Sequence, residues 1–167
     1  EMTTNGSDLN LVSNFDLSEI DIKNQNLIKF YLPKTKDILS LKDQKIKLNY
    51  KDNTLSLKGI GKIKLERELD KIEFFFSTKD EIYNFETYLE IKDTPLKIDT
   101  INYTKDKNVN SQLKINGKYT KKFGIDFKKI SLLSKNTSLT INDLIIDEQN
   151  KIVKVDKIDL DYFDRSD

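Results

Sequence analysis

From Lys45 to Tyr162, apolar residues recur at almost every second position. A side-chain period of two belongs to the β-strand, whose successive side chains point to opposite faces. The clearest run is Thr54–Glu66. One face reads Leu55, Leu57, Gly59, Gly61, Ile63, Leu65; the other reads Thr54, Ser56, Lys58, Ile60, Lys62, Lys64, Glu66. Strands of about five or six residues are usual, so this one is long. The same pattern aligns Ile46, Leu48 and Tyr50. It aligns Ile72, Phe74 and Phe76, with Phe75 on the other side. Tyr83, Phe85, Thr87, Leu89 and Ile91 form a further set, as do Val109, Ser111, Leu113, Ile115, Gly117 and Tyr119. "FGIDFKKISLL" and "TSLTINDLII" pair around the turn "SKNT", and "IVKVDKIDLDYF" reads as a closing strand. Polar turns separate these runs: "KDN" at 51–53, "TKDE" at 78–81, "TKDKN" at 104–108 and "DEQNK" at 147–151. Short turns between successive strands predict an antiparallel meander of about ten strands.

Other stretches are less regular. "LNLVSNFDLSEIDIK" reads as one strand or two, with Phe15 and Leu17, then Ile20 and Ile22, as inward pairs. "LKIDTINY" at 96–103 reads as a strand whose phase slips between Ile98 and Ile101, which suggests a bulge; Pro95 marks its start or an edge. "NQNLIKFYLPKTKDILSL" has helical spacing, with Leu27, Ile28, Tyr31, Leu32, Ile38 and Leu39 on one stripe, broken at Pro33. It predicts one short helical segment near 24–39. The opening "EMTTNGSD" reads as a polar leader or a cut point. "GIG" at 59–61 lies mid-strand, whereas a phosphate loop joins strand to helix. It reads as a bulge or bend.

Composition narrows the function classes. Cysteine and histidine are absent. That removes disulfides, thiolate sites, the commonest metal ligand and every triad that needs histidine. Alanine is absent, while isoleucine and leucine number 20 each, so strands are favoured locally. The Lys/Asn/Ile bias is that of an AT-rich genome. Net charge is +1, and the 29 basic residues include only two arginines, Arg67 and Arg165. Neither favours nucleic acid, which demands a basic patch and favours arginine. No apolar run reaches the 18 residues that a membrane-spanning helix requires. The acids Asp156, Asp159, Asp161, Asp164 and Asp167 lack the glycine of a calcium loop and alternate with Ile158, Leu160 and Tyr162. They read as a solvated strand face. No acid pair is set in a pocket. The expectation is no enzyme, no cofactor and no metal.

An internal echo links "NYKDN…LSLKGIGKI" at 49–63 with "NYTKDKN…LKINGKY" at 102–119. It suggests two repeat units, about 46–98 and 99–162, after an N-terminal strand and helix at 9–40. Together they form a single β-rich segment, 1–167, of a longer chain.

The long amphipathic strands, x-Gly-x bends, Lys-Asp-Asn turns and the ending "ISLLSKNTSLTINDLIIDEQNKIVKVDKIDLDY" resemble the AsmA-like envelope proteins, the AsmA, YhdP and TamB group. The resemblance runs from about Phe15 to Tyr162. It implies a repeating β-groove protein of the bacterial periplasm, anchored in the inner membrane through a segment outside this chain. Its partners would be phospholipid or another acyl lipid, and neighbouring repeats. The lipopolysaccharide-transport β-jellyroll proteins look similar over "NYKDNTLSLKGIGKI" and imply the same ligand class. The expected fold is mostly β: a long twisted antiparallel sheet curled into a taco-like groove or half-barrel. Matching phase puts Leu55, Leu57, Ile63, Leu65, Ile72, Phe74, Phe76, Phe85, Leu89, Leu113 and Ile115 on one concave apolar surface, which the resemblance makes a lipid-binding groove. Phe74 and Phe76 would line its wall, with Phe75 covered from behind by the helix. The residues alone leave a second outcome open. A one-sided sheet must cover its apolar face, and a plain structural or adhesion β-sandwich would bury that face against itself.

Overall fold

The computed structural model describes residues 2–5, 8–23, 36–65, 68–92, 94–98, 103–135, 137–149 and 151–162. The chain is mostly β, and no helix occurs among the described residues. In chain order the strands are β1 Met2–Asn5, β2 Asp8–Lys23, β3 Ile38–Lys51, β4 Thr54–Lys64, β5 Leu69–Lys79 and β6 Ile82–Ile91. Then come β7 Leu96–Ile98, β8 Tyr103–Lys105, β9 Ser111–Thr120, β10 Gly124–Ser134, β11 Thr137–Ile146, β12 Ile152–Lys154 and β13 Lys157–Tyr162. Eleven of them form one open antiparallel sheet in the order β1-β2-β3-β4-β5-β6-β9-β10-β11, with β12 and β13 both on the outer edge of β11. β7 and β8 pair only with each other.

The meander follows from the turns. Asp52 and Asn53 have φ of 49° and 57°, and Asp80 and Glu81 have 50° and 62°. Two successive left-handed residues make the two-residue hairpin turn whose twist matches that of the strands. "KDN" thus sets the β3–β4 register and "DE" the β5–β6 register.

Three register shifts interrupt the regular ladder among the described residues, one of them between Ile145 and Ile146 where β12 joins β11. Asp43 has φ 52°, and the β3–β4 register steps between Lys42 and Lys45. Asp143 has φ 48°, and the β9–β10 register steps between Phe127 and Lys129. Each aspartate is ion-paired to a lysine of the neighbouring strand, Lys62 at 3.0 Å and Lys128 at 3.4 Å. The extra residue in β3 keeps its apolar side chains in phase: Leu41 is paired with Ile63 and Ile46 with Gly59, on one face of β4. β2 slips to match. Phe15 and Leu17 pair with Ile46 and Gln44, and Ile20 and Ile22 pair with Leu41 and Leu39.

Several expectations are corrected. Residues 24–35 of the expected helix lie outside the described residues, but Ile38 and Leu39, placed at its end, begin β3. β3 runs as a long ladder with β2, so tertiary pairing decides their state. Met2–Asn5, read within a polar leader, is strand β1 on the edge of β2. "LKIDTINY" is no bulged strand: Leu96–Ile98 and Tyr103–Lys105 fold back on each other. The irregularity expected at Gly59–Gly61 sits across the ladder in β3. β4 itself keeps an unbroken register with β5. "IVKVDKIDLDYF" is divided into β12 and β13, the break lying opposite the Asp143 bulge.

One continuous cluster of buried side chains joins Leu39, Leu41, Ile63, Leu65, Ile72, Leu89, Ile91, Leu132 and Leu139. It lies toward the end of the sheet where the 92–110 excursion leaves β6 and returns to β9. Buried polar groups fasten that excursion. The Lys105 ammonium donates to the carbonyls of Thr94 at 2.7 Å, Lys92 at 3.0 Å and Asp106 at 3.3 Å. The Asp70 carboxylate accepts from the Lys92 amide at 2.9 Å and from the Thr94 hydroxyl. Without such partners, burying these charges would be prohibitive.

Candidate functional site

Cross-strand partners in an antiparallel ladder share a face, so the register reads out the composition of each side of the sheet. Four rows cross it on the apolar side. The first is Tyr50–Leu55–Thr78–Tyr83–Tyr119–Ile125–Ile146. The second is Leu48–Leu57–Phe76–Phe85–Gly117–Phe127–Leu144. The third is Phe15–Ile46–Gly59–Phe74–Thr87–Ile115–Ile130–Ile141–Ile158, and the fourth is Gly61–Ile72–Leu89–Leu113–Leu132–Leu139–Leu160. Across all four rows there is no carboxylate and no ammonium. A carboxylate stands on this face beyond the fourth row, Asp70, paired with Ile63 beside the 92–110 excursion.

The register puts ten of the eleven candidate groove residues on this face: Leu55, Leu57, Ile63, Ile72, Phe74, Phe76, Phe85, Leu89, Leu113 and Ile115. Leu65 follows the end of β4 and is buried in the core cluster with them. The set divides by environment. Ile63, Leu65, Ile72 and Leu89 are packed core, while Leu55, Leu57, Phe74, Phe76, Phe85, Leu113 and Ile115 are half-buried. The face therefore grades from a dry aliphatic end to a partly open aromatic end. At the open end Phe76 and Tyr83 have centroids 6.0 Å apart, Tyr83 and Tyr119 5.9 Å, and Phe85 and Phe127 5.8 Å in an edge-to-face contact. Tyr83, Tyr119, Phe127, Ile130 and Ile141 belong to the surface but were absent from the sequence-derived set. Their strand phase was the available signal.

The glycine notch is occupied by the protein itself. A Cβ on Gly59 would stand 2.2 Å from the Phe74 ring, so that ring lies across β4. A Cβ on Gly61 would stand 2.2 Å from Nε2 of Gln44. Gln44 is fully buried and donates from Nε2 to the carbonyls of Lys42 and Lys62, both at 2.9 Å. Its Oε1 has no hydrogen-bond partner among the described residues.

Charge is concentrated on the opposite face. Lys71 pairs with Glu73 at 3.0 Å, which raises the lysine pKa. The Tyr88 hydroxyl donates to Glu90 at 2.8 Å. Burial first, then Glu90, push its pKa up to about 12. The Ser40 hydroxyl and then Lys42 hold Glu19 below its ordinary value. Phe75 is on this face, 41% exposed; residues 24–35 of the helix expected to cover it lie outside the described residues.

The accessible surface is 11489 Å², whereas a compact monomer of 19.5 kDa would expose about 8500 Å². A sheet open on both faces contributes to that excess. No known protein family, curated protein or solved structure matches this chain.

Proposed function

We propose that the apolar side of the sheet binds the acyl chains of a lipid, as a segment of a cell-envelope protein of the AsmA-like kind. The observation that carries the reading is the four-row face. It is wide, it holds no charge, and its aromatic half is only half-buried. Large exposed apolar areas mark interaction surfaces, and a ligand that is long, flexible and uncharged along its length suits parallel rows of Leu, Ile and Phe. The burial gradient gives the ligand a direction: chains enter over Leu55, Leu57, Phe76 and Phe85 and end against Ile72, Leu89 and Leu132. A periplasmic site, an inner-membrane anchor outside these residues and neighbouring repeats as further partners follow from the same resemblance. The competing β-sandwich reading requires a second sheet over this face. Among the described residues only the β7–β8 hairpin stands outside the main sheet.

The test places a charge on the face. Leu57→Asp sits in a half-buried position where water reaches the carboxylate, so the expected folding cost is about 1–2 kcal/mol. A photoactivatable fatty acid should crosslink to β4–β6 of the unmodified chain and lose that crosslink in Leu57→Asp. Lys58→Asp, on the other face, should leave it intact. Absence of crosslinking to the unmodified chain, or equal labelling of Leu57→Asp, contradicts the proposal.

A further inference from the structure

Gln44 is a polar side chain on the apolar face. It pairs with Leu17, and its amide lies against Gly61 at the start of the fourth row. The bulge accounts for only one end of that amide. Nε2 donates to the carbonyls of Lys42 and Lys62. Those two acceptors also fix which way the amide lies, because turning it over would set Oε1 against both carbonyl oxygens. Oε1 is thus held on the side away from them, fully buried and with no partner among the described residues. A buried acceptor without a donor is costly and rare, and each one calls for an explanation. Backbone geometry does not supply it. After the other left-handed aspartate within a strand, Asp143, the corresponding position is Leu144. It pairs with Phe127 as Gln44 pairs with Leu17, and it is 7% exposed. A leucine suffices there.

We propose that Gln44 sets the ligand class of the apolar face: its oxygen accepts a hydrogen bond from a hydroxyl carried part-way along an acyl chain. The inference rests on the lipid reading above and narrows it. Leu17, Leu41, Ile46 and Gly61, its neighbours on the face, offer no side-chain donor of their own. A ligand ammonium would meet no carboxylate in these rows and would be costly to bury unpaired, whereas a hydroxyl needs only the one acceptor. The side chains beside Gln44 are not all fixed by burial. Leu17 is 38% exposed, and Phe74, whose ring lies over Gly59, is half-buried. A chain that displaces either one would bring its hydroxyl to the oxygen. Strand geometry gives the depth. From Leu57, where chains enter, to Gly61 is about 13 Å at the usual rise per residue, which an extended chain covers in roughly ten to twelve carbons.

The experiment uses the full chain and four fatty acids of equal chain length, kept below their micellar concentrations: stearate, 12-hydroxystearate, 2-hydroxystearate and 12-methoxystearate. Displacement of a fluorescent fatty acid should show 12-hydroxystearate binding about tenfold more tightly than each of the others, since it alone brings a donor to that depth. The side-chain carbonyl signal of Gln44 in carbon NMR should move with this acid and with no other. Gln44→Leu, which copies Leu144, should bring the affinities for stearate and 12-hydroxystearate together. Equal binding of all four acids overturns the proposal. So do an equal gain for the methoxy or the 2-hydroxy acid, an unmoved Gln44 signal, or a preference that survives in folded Gln44→Leu. In each of those cases stearate still binds, so the lipid reading stands. If none of the acids binds, both fall. If Gln44→Leu does not fold, the four acids and the Gln44 signal on the unmodified chain still decide.

Discussion

Replacing Gly61 by alanine puts a methyl group where the Gln44 amide lies. The new Cβ would be 2.2 Å from Nε2, 2.5 Å from Cδ and 2.8 Å from the carbonyl oxygen of Lys42. The carbonyl is backbone and belongs to the β3 bulge, so the glutamine must give way. Its two hydrogen bonds, each about 0.5–1.5 kcal/mol, are lost at a site that is fully buried. With overpacking strain added, Gly61→Ala should cost about 2–4 kcal/mol. Gln44→Ala removes the same bonds and leaves a cavity, at about 2–3 kcal/mol. In the double variant the alanine methyl at 61 occupies the space that the amide leaves. The two costs should then fall short of their sum by about 1–2 kcal/mol, within the range for residues in contact. Urea unfolding of the four proteins measures the cycle. If Gly61→Ala costs under about 0.5 kcal/mol, or the two changes simply add, the glycine is not there to admit Gln44 and the explanation of the notch is wrong.

Other expectations follow from the same geometry. Leu132→Ala, at a site 2% exposed, should cost about 2–5 kcal/mol in denaturant unfolding, clearly more than Leu55→Ala in the half-open region. Lys105→Met removes the ammonium from the carbonyls of Thr94, Lys92 and Asp106, the last two of which keep the amides of Asn108 and Val109, and should cost about 2 kcal/mol or more, seen as faster amide exchange over 92–110 ahead of global unfolding. The Tyr88 phenol should ionise near pH 12 in ultraviolet titration. Its folded pKa is raised above the ordinary 10.0, so its contribution to stability is full below pH 10 and lost as pH rises toward 12. Glu90→Gln should lower that pKa only in part, because burial is the larger cause.

Strand identity and facing were legible because period two is a local property. Ile72, Phe74 and Phe76 could be assigned to one side with no knowledge of their neighbours. The turns were legible too, since Asp and Asn tolerate the left-handed backbone that the β3–β4 turn needs. Pairing was not. That Phe74 fills the space over Gly59, and Gln44 that over Gly61, depends on register, which no single strand contains. The bulge at Asp43 left a trace, as apolar positions shift from Leu39 and Leu41 to Ile46 and Leu48, changing parity. The same shift separates Ile141 from Leu144 around Asp143. Helical spacing over 27–39 masked the first. The β7–β8 hairpin was invisible because three-residue strands carry no period, and its anchor, Lys105, is a residue type ordinarily on the surface. Residue phase identified the candidate face, yet could not say which part of it the protein keeps for its own core.

If the apolar face takes a lipid, native mass spectrometry of the purified chain, released gently from buffer, will show adducts whose masses match acyl lipids, present on the unmodified protein and reduced in Leu57→Asp, with Lys58→Asp unchanged. A single bare mass that stays bare after incubation with phospholipid vesicles would contradict it.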